Sequence, residues 1–165
     1  MAVACSTMWR RLRFFLIGRV LPKRMVQGIM YLTQTKFLVA VVVVLWHGDE
    51  ILLLRHSYRP RYPWGLLTGW VNAGESPEQA ASREVFEETG LTISQFHYFY
   101  SGAAHRRHME IGYWADVASQ DQLPASADGE ITELRWFAAD ALPDLLLPAQ
   151  RPLIQAARRQ SREFS

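Results

Sequence analysis

The sequence predicts an α/β fold, a mixed β-sheet held between helices. Three stretches carry that prediction. Residues 37–46 are apolar throughout and rich in Val, the pattern of a strand buried on both faces. Residues 76–90 read as a helix, with a capping serine at one end and a glycine at the other. Residues 151–163 read as a second helix near the end of the chain, and strands are predicted on both sides of the first.

At 165 residues, of which 49% are apolar, the chain suits one globular domain with a sizeable core. Cys5 is the only cysteine, so no intrachain disulfide forms; this fits a reducing, cytoplasmic setting. The net charge of +2 is unevenly placed. Arg10, Arg11, Arg13, Arg19, Lys23, Arg24 and Lys36 all precede the first acidic residue, Asp49. The body that follows is acidic, which argues against general nucleic-acid binding. We therefore expect a basic amphipathic segment over residues 1–35 and a separate body over 36–165.

Residues 8–31 alternate arginine clusters with large apolar side chains, and Pro22 splits them into two short helix candidates. Such a segment suits docking on the body, a homodimer interface or peripheral contact with an anionic membrane. It lacks the long apolar core and small-residue cleavage site of a secretory signal. Its Arg-rich, acid-poor start also has the composition of an organellar transit peptide, a lesser reading. At ten residues, 37–46 is too short to span a bilayer as a helix.

Residues 47–50 are a turn and 51–55 a second strand, so the pair is expected as a hairpin. Residues 56–63 are a polar loop that leads into 64–71. Beyond the first helix, strands are expected over 92–101 and 110–118, joined by a loop over 102–108. A loop over 119–129 precedes a strand over 131–137. A short helix is expected to start within 138–147, before Pro148 interrupts it.

The helix over 76–90 follows from local chemistry. Ser76 is a good N-cap, Pro77 suits the first helical position, and Gln79 completes a capping box with Ser76. Gly90 is the expected left-handed stop. Glu84, Glu87 and Glu88 lie three and four residues apart, on one face, where they repel. Hard divalent cations relieve that conflict, because Mg2+ and Mn2+ prefer carboxylate oxygen. Arg83, four residues before Glu87, can hold or orient it. A solvated acidic face explains the three glutamates but not the glycines, arginine and cap at fixed distances from them.

Residues 69–91 resemble the Nudix box. Gly69, Glu75, Arg83, Glu84, Val85, Glu87, Glu88, Gly90 and Leu91 fill every specified position. The resemblance implies an α/β/α sandwich and metal-dependent hydrolysis, with Mg2+ or Mn2+, of a nucleoside diphosphate linked to another group. Carried over by position, Glu84, Glu87, Glu88 and the Gly69 carbonyl would be the metal ligands. Glu75 and Arg83 would support the loop and helix. The general base would be Glu87 or a glutamate of the later strands, Glu130 or Glu133, with Glu130 favoured because it starts its strand.

Arg55, Arg59, Arg61 and Arg106 suit bidentate phosphate contact, against the plainer reading of solvated loops. His105 and His108 could flank the site. With no cysteine or ligand spacing nearby, zinc is not expected. Tyr58, Trp64 and Trp70 could stack on a base, though aromatics there more often belong to the core. Residues 106–109 hold neither the proline nor the tyrosine that sorts the family by substrate, and Leu67 and Thr68 replace the common Pro-Gly before Gly69. The partner is a nucleotide-type small molecule of open identity. The alternative is a catalytically quiet module that binds a nucleotide or a protein.

Overall fold

The computed structural model describes residues 22–105, 107–118 and 129–164. The chain divides between Lys36 and Phe37 into two units. In the first, Pro22 precedes helix α1 (Lys23–Thr33), which has no buried residue. The helix candidate before Pro22 lies outside the described residues. Among the described residues, no helix is long and apolar enough to cross a membrane.

The second unit holds a seven-stranded mixed sheet. Its strands are β1 (Leu38–His47), β2 (Glu50–His56), β3 (Trp64–Gly65), β4 (Leu67–Trp70), β5 (His97–His105), β6 (His108–Asp116) and β7 (Ile131–Ala138). β1 is central: it runs parallel to β6 and antiparallel to β2 and β4. β3 and β7 pair antiparallel with β2, and β5 with β6. Helix α2 (Pro77–Thr89) and helix α3 (Arg151–Phe164) follow β4 and β7 respectively, α3 after a 3-10 turn over Pro148–Gln150.

Two core layers explain why β1 is apolar from Leu38 to Trp46. Val41, Val43 and Leu45 pack with Leu52, Leu54 and Leu67 against Ala80, Ala81 and Val85 of α2. Val42, Val44 and Trp46 pack with Ile51, Leu53 and Leu66 against Ile154 and Ala157 of α3. Side chains alternate along a strand, so a strand covered on both faces needs apolar residues throughout. The result is a mixed sheet with a helix on each face, an α/β/α sandwich.

Two expectations need correction. Residues 102–105, expected as part of a loop over 102–108, are instead the end of β5. β5 starts at His97 rather than 92, and its pairing with β6 continues until His105 faces His108. Gly102 and its neighbours read as loop because they are small, yet a Cβ at Gly102 would run into the Tyr100 ring, so the strand needs a glycine there. The helix expected within 138–147 is a run of turns, with Ala141 N–H bonded to Ala138 O and Leu146 N–H to Pro143 O. Pro143 has no N–H and disfavours helical geometry at Leu142. Leu146 instead bridges to Trp64 beside β3.

Candidate active site

Helix α2 begins as its sequence requires. The Ser76 hydroxyl accepts from Gln79 N–H at 3.2 Å, and the Gln79 side chain accepts from Ser76 N–H at 2.8 Å. Gly90 ends the helix at φ 70°. These caps orient the face that carries Arg83, Glu84, Glu87 and Glu88.

Arg83 is the hub of that face. Its Nε and Nη2 donate to the two Glu75 oxygens at 2.9 and 3.0 Å. Nη2 also donates to Trp70 O at 2.9 Å. Nη1 donates to Glu84 at 2.8 Å and Glu87 at 3.1 Å. Glu75 accepts in addition from Asn72 N–H at 2.9 Å, closing the loop that leads to the helix. The hydrogen bond from Arg83 is the main cause that lowers the Glu75 carboxyl to about 2. Those carboxylates hold the guanidinium protonated far above its ordinary range, Glu75 most of all.

Glu84 lies against Gly69 of β4. A Cβ built at Gly69 would collide with the Glu84 carboxylate, so only glycine leaves room for it. Beside this contact opens a cavity of about 540 Å³. Gly69, Trp70, Glu84 and Glu88 line one part; His108, Glu110 and Tyr100 of the β5–β6 pair, and Glu130 before β7, line another. His56, Tyr58, Arg59 and Gln150 also line it.

The residues singled out from sequence thus fall in different places. Glu84, Glu88, Gly69, Glu130 and Arg59 line the cavity. Glu87 does not; its side chain is 56% exposed and pairs with Arg83. Glu133 pairs with Arg135 and sits opposite Arg55 in the β2–β7 register. Arg55 is exposed, and Arg61 lies over the Tyr62 ring at 5.4 Å. Arg106 lies outside the described residues. Trp64 is core, whereas Trp70 is half-exposed and packs on His108 with ring centroids 5.0 Å apart.

Sequence reasoning missed His56, Tyr100, Glu110 and Gln150. Glu110 had a faint signal, a carboxylate at the first position of the strand expected over 110–118. Gln150 had none, because its place depends on how the chain returns after β7.

An α/β/α sandwich with a carboxylate-bearing helix packed on a glycine loop defines a class of protein. The model of the NUDIX domain matches residues 36–158, and the chain belongs to the Nudix family. Over 118 residues it is 38% identical to the NAD-capped RNA hydrolase NudC of Pseudomonas aeruginosa (strain LESB58), covering 69% of this chain and 40% of that protein. The NAD-capped RNA hydrolase NudC of Haemophilus influenzae (strain PittEE) is 37% identical over 120 residues, or 70% of this chain and 45% of that one. The chain thus spans less than half the length of these curated relatives. A MutT NUDIX hydrolase from Burkholderia pseudomallei superposes with a TM-score of 0.65 at 24% identity, over 73% of this chain and 98% of that one. A MutT/nudix family protein from Enterococcus faecalis gives 0.67 at 20% identity, over 88% and 71%. These two likenesses show the fold.

The family generally uses divalent metal ions. The donors here fit such an ion in kind: Glu84 in the space Gly69 leaves, Glu88, and the Gly69 carbonyl are hard oxygen donors at one end of the cavity. Arg83 draws Glu84 and Glu87 toward itself, and among the described residues no three His, Cys, Asp or Glu side chains close round one point.

Proposed function

We propose that the chain hydrolyses a diphosphate that links a nucleoside to another group, with Mg2+ or Mn2+ as cofactor. The observation that supports this most is the seating of Glu84 on Gly69 at a cavity that Glu88, Glu110 and Glu130 also line. Four carboxylates facing one space would repel a diphosphate unless cations intervene.

Glu84, Glu88 and the Gly69 carbonyl would hold the ion, with Glu87 at the outer edge. A bound divalent ion supplies positive charge against the diphosphate and acidifies the attacking water. Glu130 takes that water's proton. The water oxygen forms a new bond to phosphorus, the bridging P–O bond breaks, and the leaving phosphate departs with its oxygen. Glu75 and Arg83 are positioning residues that hold the loop and helix in register.

The test is a substrate panel with Mg2+ and with Mn2+, scored for nucleoside monophosphate or phosphate release. The names of the curated relatives put NAD-capped RNA and NAD, itself two nucleotides joined by a diphosphate, first in that panel. ADP-ribose and dinucleoside polyphosphates follow. A second reading, a catalytically quiet module that binds a nucleotide or a protein, draws on the hold of Arg83 over Glu84 and Glu87. Release of product from any member of the panel removes it; binding without release supports it.

A further inference from the structure

One wall of the cavity holds a polar cluster that the hydrolytic step does not use. His56 ends β2 and is 3% exposed, yet neither ring nitrogen has a hydrogen-bond partner among the described residues. Arg59 follows three residues later, and its Nη1 is likewise buried without a partner. Gln150 joins them from the far end of the chain, its Oε1 accepting from Leu66 N–H at 2.8 Å. All three rest on the bare α-carbon of Gly65. A Cβ there would meet Arg59 Nη1 at 3.0 Å, Gln150 Oε1 at 3.1 Å and His56 Nε2 at 3.2 Å.

A purely structural cluster would pair these groups internally, because buried polar atoms without partners are costly. Gln150 is paired in this way; His56 and Arg59 Nη1 are not. Burial first, and then the Arg59 charge, hold the His56 pKa at about 4, so the ring is neutral near pH 7. The Leu66 backbone offsets part of that shift without closing a hydrogen bond to either nitrogen. A neutral ring offers one donor and one acceptor. Arg59 brings the charge, and a guanidinium suits phosphoryl oxygen. Gly65 and Gly69 are four residues apart, so the cluster and the carboxylate end are floored at most about 14 Å from each other, before side chains reach inward.

We propose that His56 and Arg59, seated on Gly65 and braced by Gln150, form a phosphoryl-binding subsite for the substrate phosphate farther from Glu84 and Gly69. This rests on the diphosphate-hydrolase reading. His56 is then a specificity-determining residue, a donor to the phosphoryl group and an acceptor for a neighbouring hydroxyl.

The test uses α,β-methylene-ADP, a diphosphate that cannot be hydrolysed at its bridge, titrated calorimetrically at pH 7.5 with Mg2+ and with EDTA. Arg59→Met should weaken binding about tenfold or more with Mg2+ present, from the loss of a charged hydrogen bond. Glu84→Gln should weaken it only with Mg2+. His56→Leu should weaken it, and His56→Gln, which keeps a donor and an acceptor, should restore much of the loss. Melting temperatures identify variants that fail to fold; Arg59, on a partly exposed loop, carries the test if His56→Leu does. Equal affinity of wild type and Arg59→Met, or no binding by wild type, overturns the subsite. The two readings fail separately. Turnover of a diphosphate with KM unchanged in Arg59→Met removes the subsite alone. Arg59-dependent binding with no diphosphate cleaved removes the hydrolase reading and keeps the subsite.

Discussion

Arg83 grips both oxygens of Glu75, Nε to Oε1 at 2.9 Å and Nη2 to Oε2 at 3.0 Å, across eight residues of sequence. The pair ties the glycine loop to helix α2 and leaves Nη1 for Glu84 and Glu87. Its two charged groups also give it a pH signature.

The Glu75 carboxyl lies at about 2 in the folded chain against 4.5 ordinarily, mainly through Arg83. A lowered folded value means the stabilisation is whole above pH 4.5 and is lost as pH falls from there toward 2. Glu75→Gln should therefore melt below wild type at pH 7, with the gap closing as pH falls through that window. A gap that stays constant from pH 7 to pH 2 would contradict the pairing.

His56, in the cavity lining, titrates in a higher window. Burial and Arg59 lower His56 to about 4 from 6.5, so its contribution is whole above pH 6.5 and is lost as pH falls through 4. The unfolded chain takes up this proton first. His56→Gln should flatten the melting curve between pH 6.5 and 4, a difference of roughly 5 °C, read by calorimetry across pH.

Gly69→Ala places a methyl where the Glu84 carboxylate lies. The backbone there is an ordinary strand paired with Val41, so the fold should survive. Glu84 must turn away, and displacing a ligand by about an ångström costs on the order of a hundredfold in rate. We expect kcat to fall by about that factor while the melting temperature moves by a few degrees at most. Unchanged kcat would detach Glu84 from the chemistry.

Glu84→Gln and Glu87→Gln each remove a negative charge from the helix face. Both should fold and lose about a hundredfold or more in turnover, because lost ion contacts remove transition-state charge stabilisation. Chelation should abolish activity, added Mg2+ or Mn2+ should restore it, and the rate should rise toward alkaline pH. Rates and melting temperatures measured together separate chemistry from folding. Full activity after exhaustive chelation, or in Glu87→Gln, would overturn the corresponding assignment.

A chain that begins at Gln34 keeps every strand, the glycine loop and both core layers. It should fold cooperatively and retain metal-dependent turnover. Sedimentation and binding to anionic vesicles then report on residues 1–33. A changed oligomeric state marks them as an interface between copies, and lost vesicle binding marks a membrane contact. Neither change would leave both roles unsupported.

What the sequence alone determined is local. The Ser76–Gln79 box, the Gly90 stop and the spacing of Arg83, Glu84, Glu87 and Glu88 could be read in advance, since helix caps and helix faces depend on residues three or four apart. The two-faced burial of β1 was legible for a similar reason, in its unbroken apolar run. Small residues at 102–104 misled the reading and the warning of Pro143 went unused, while the ladder of β5 with β6 and the Leu146–Trp64 bridge come from distant chain. Only the tertiary structure decided which arginine reaches the cavity and that His56 meets Gln150. Those two lie 94 residues apart and have no common period. They meet because the chain, after leaving β7, packs the 3-10 turn over Pro148–Gln150 back against Leu66, whose N–H needs an acceptor that the sheet does not supply.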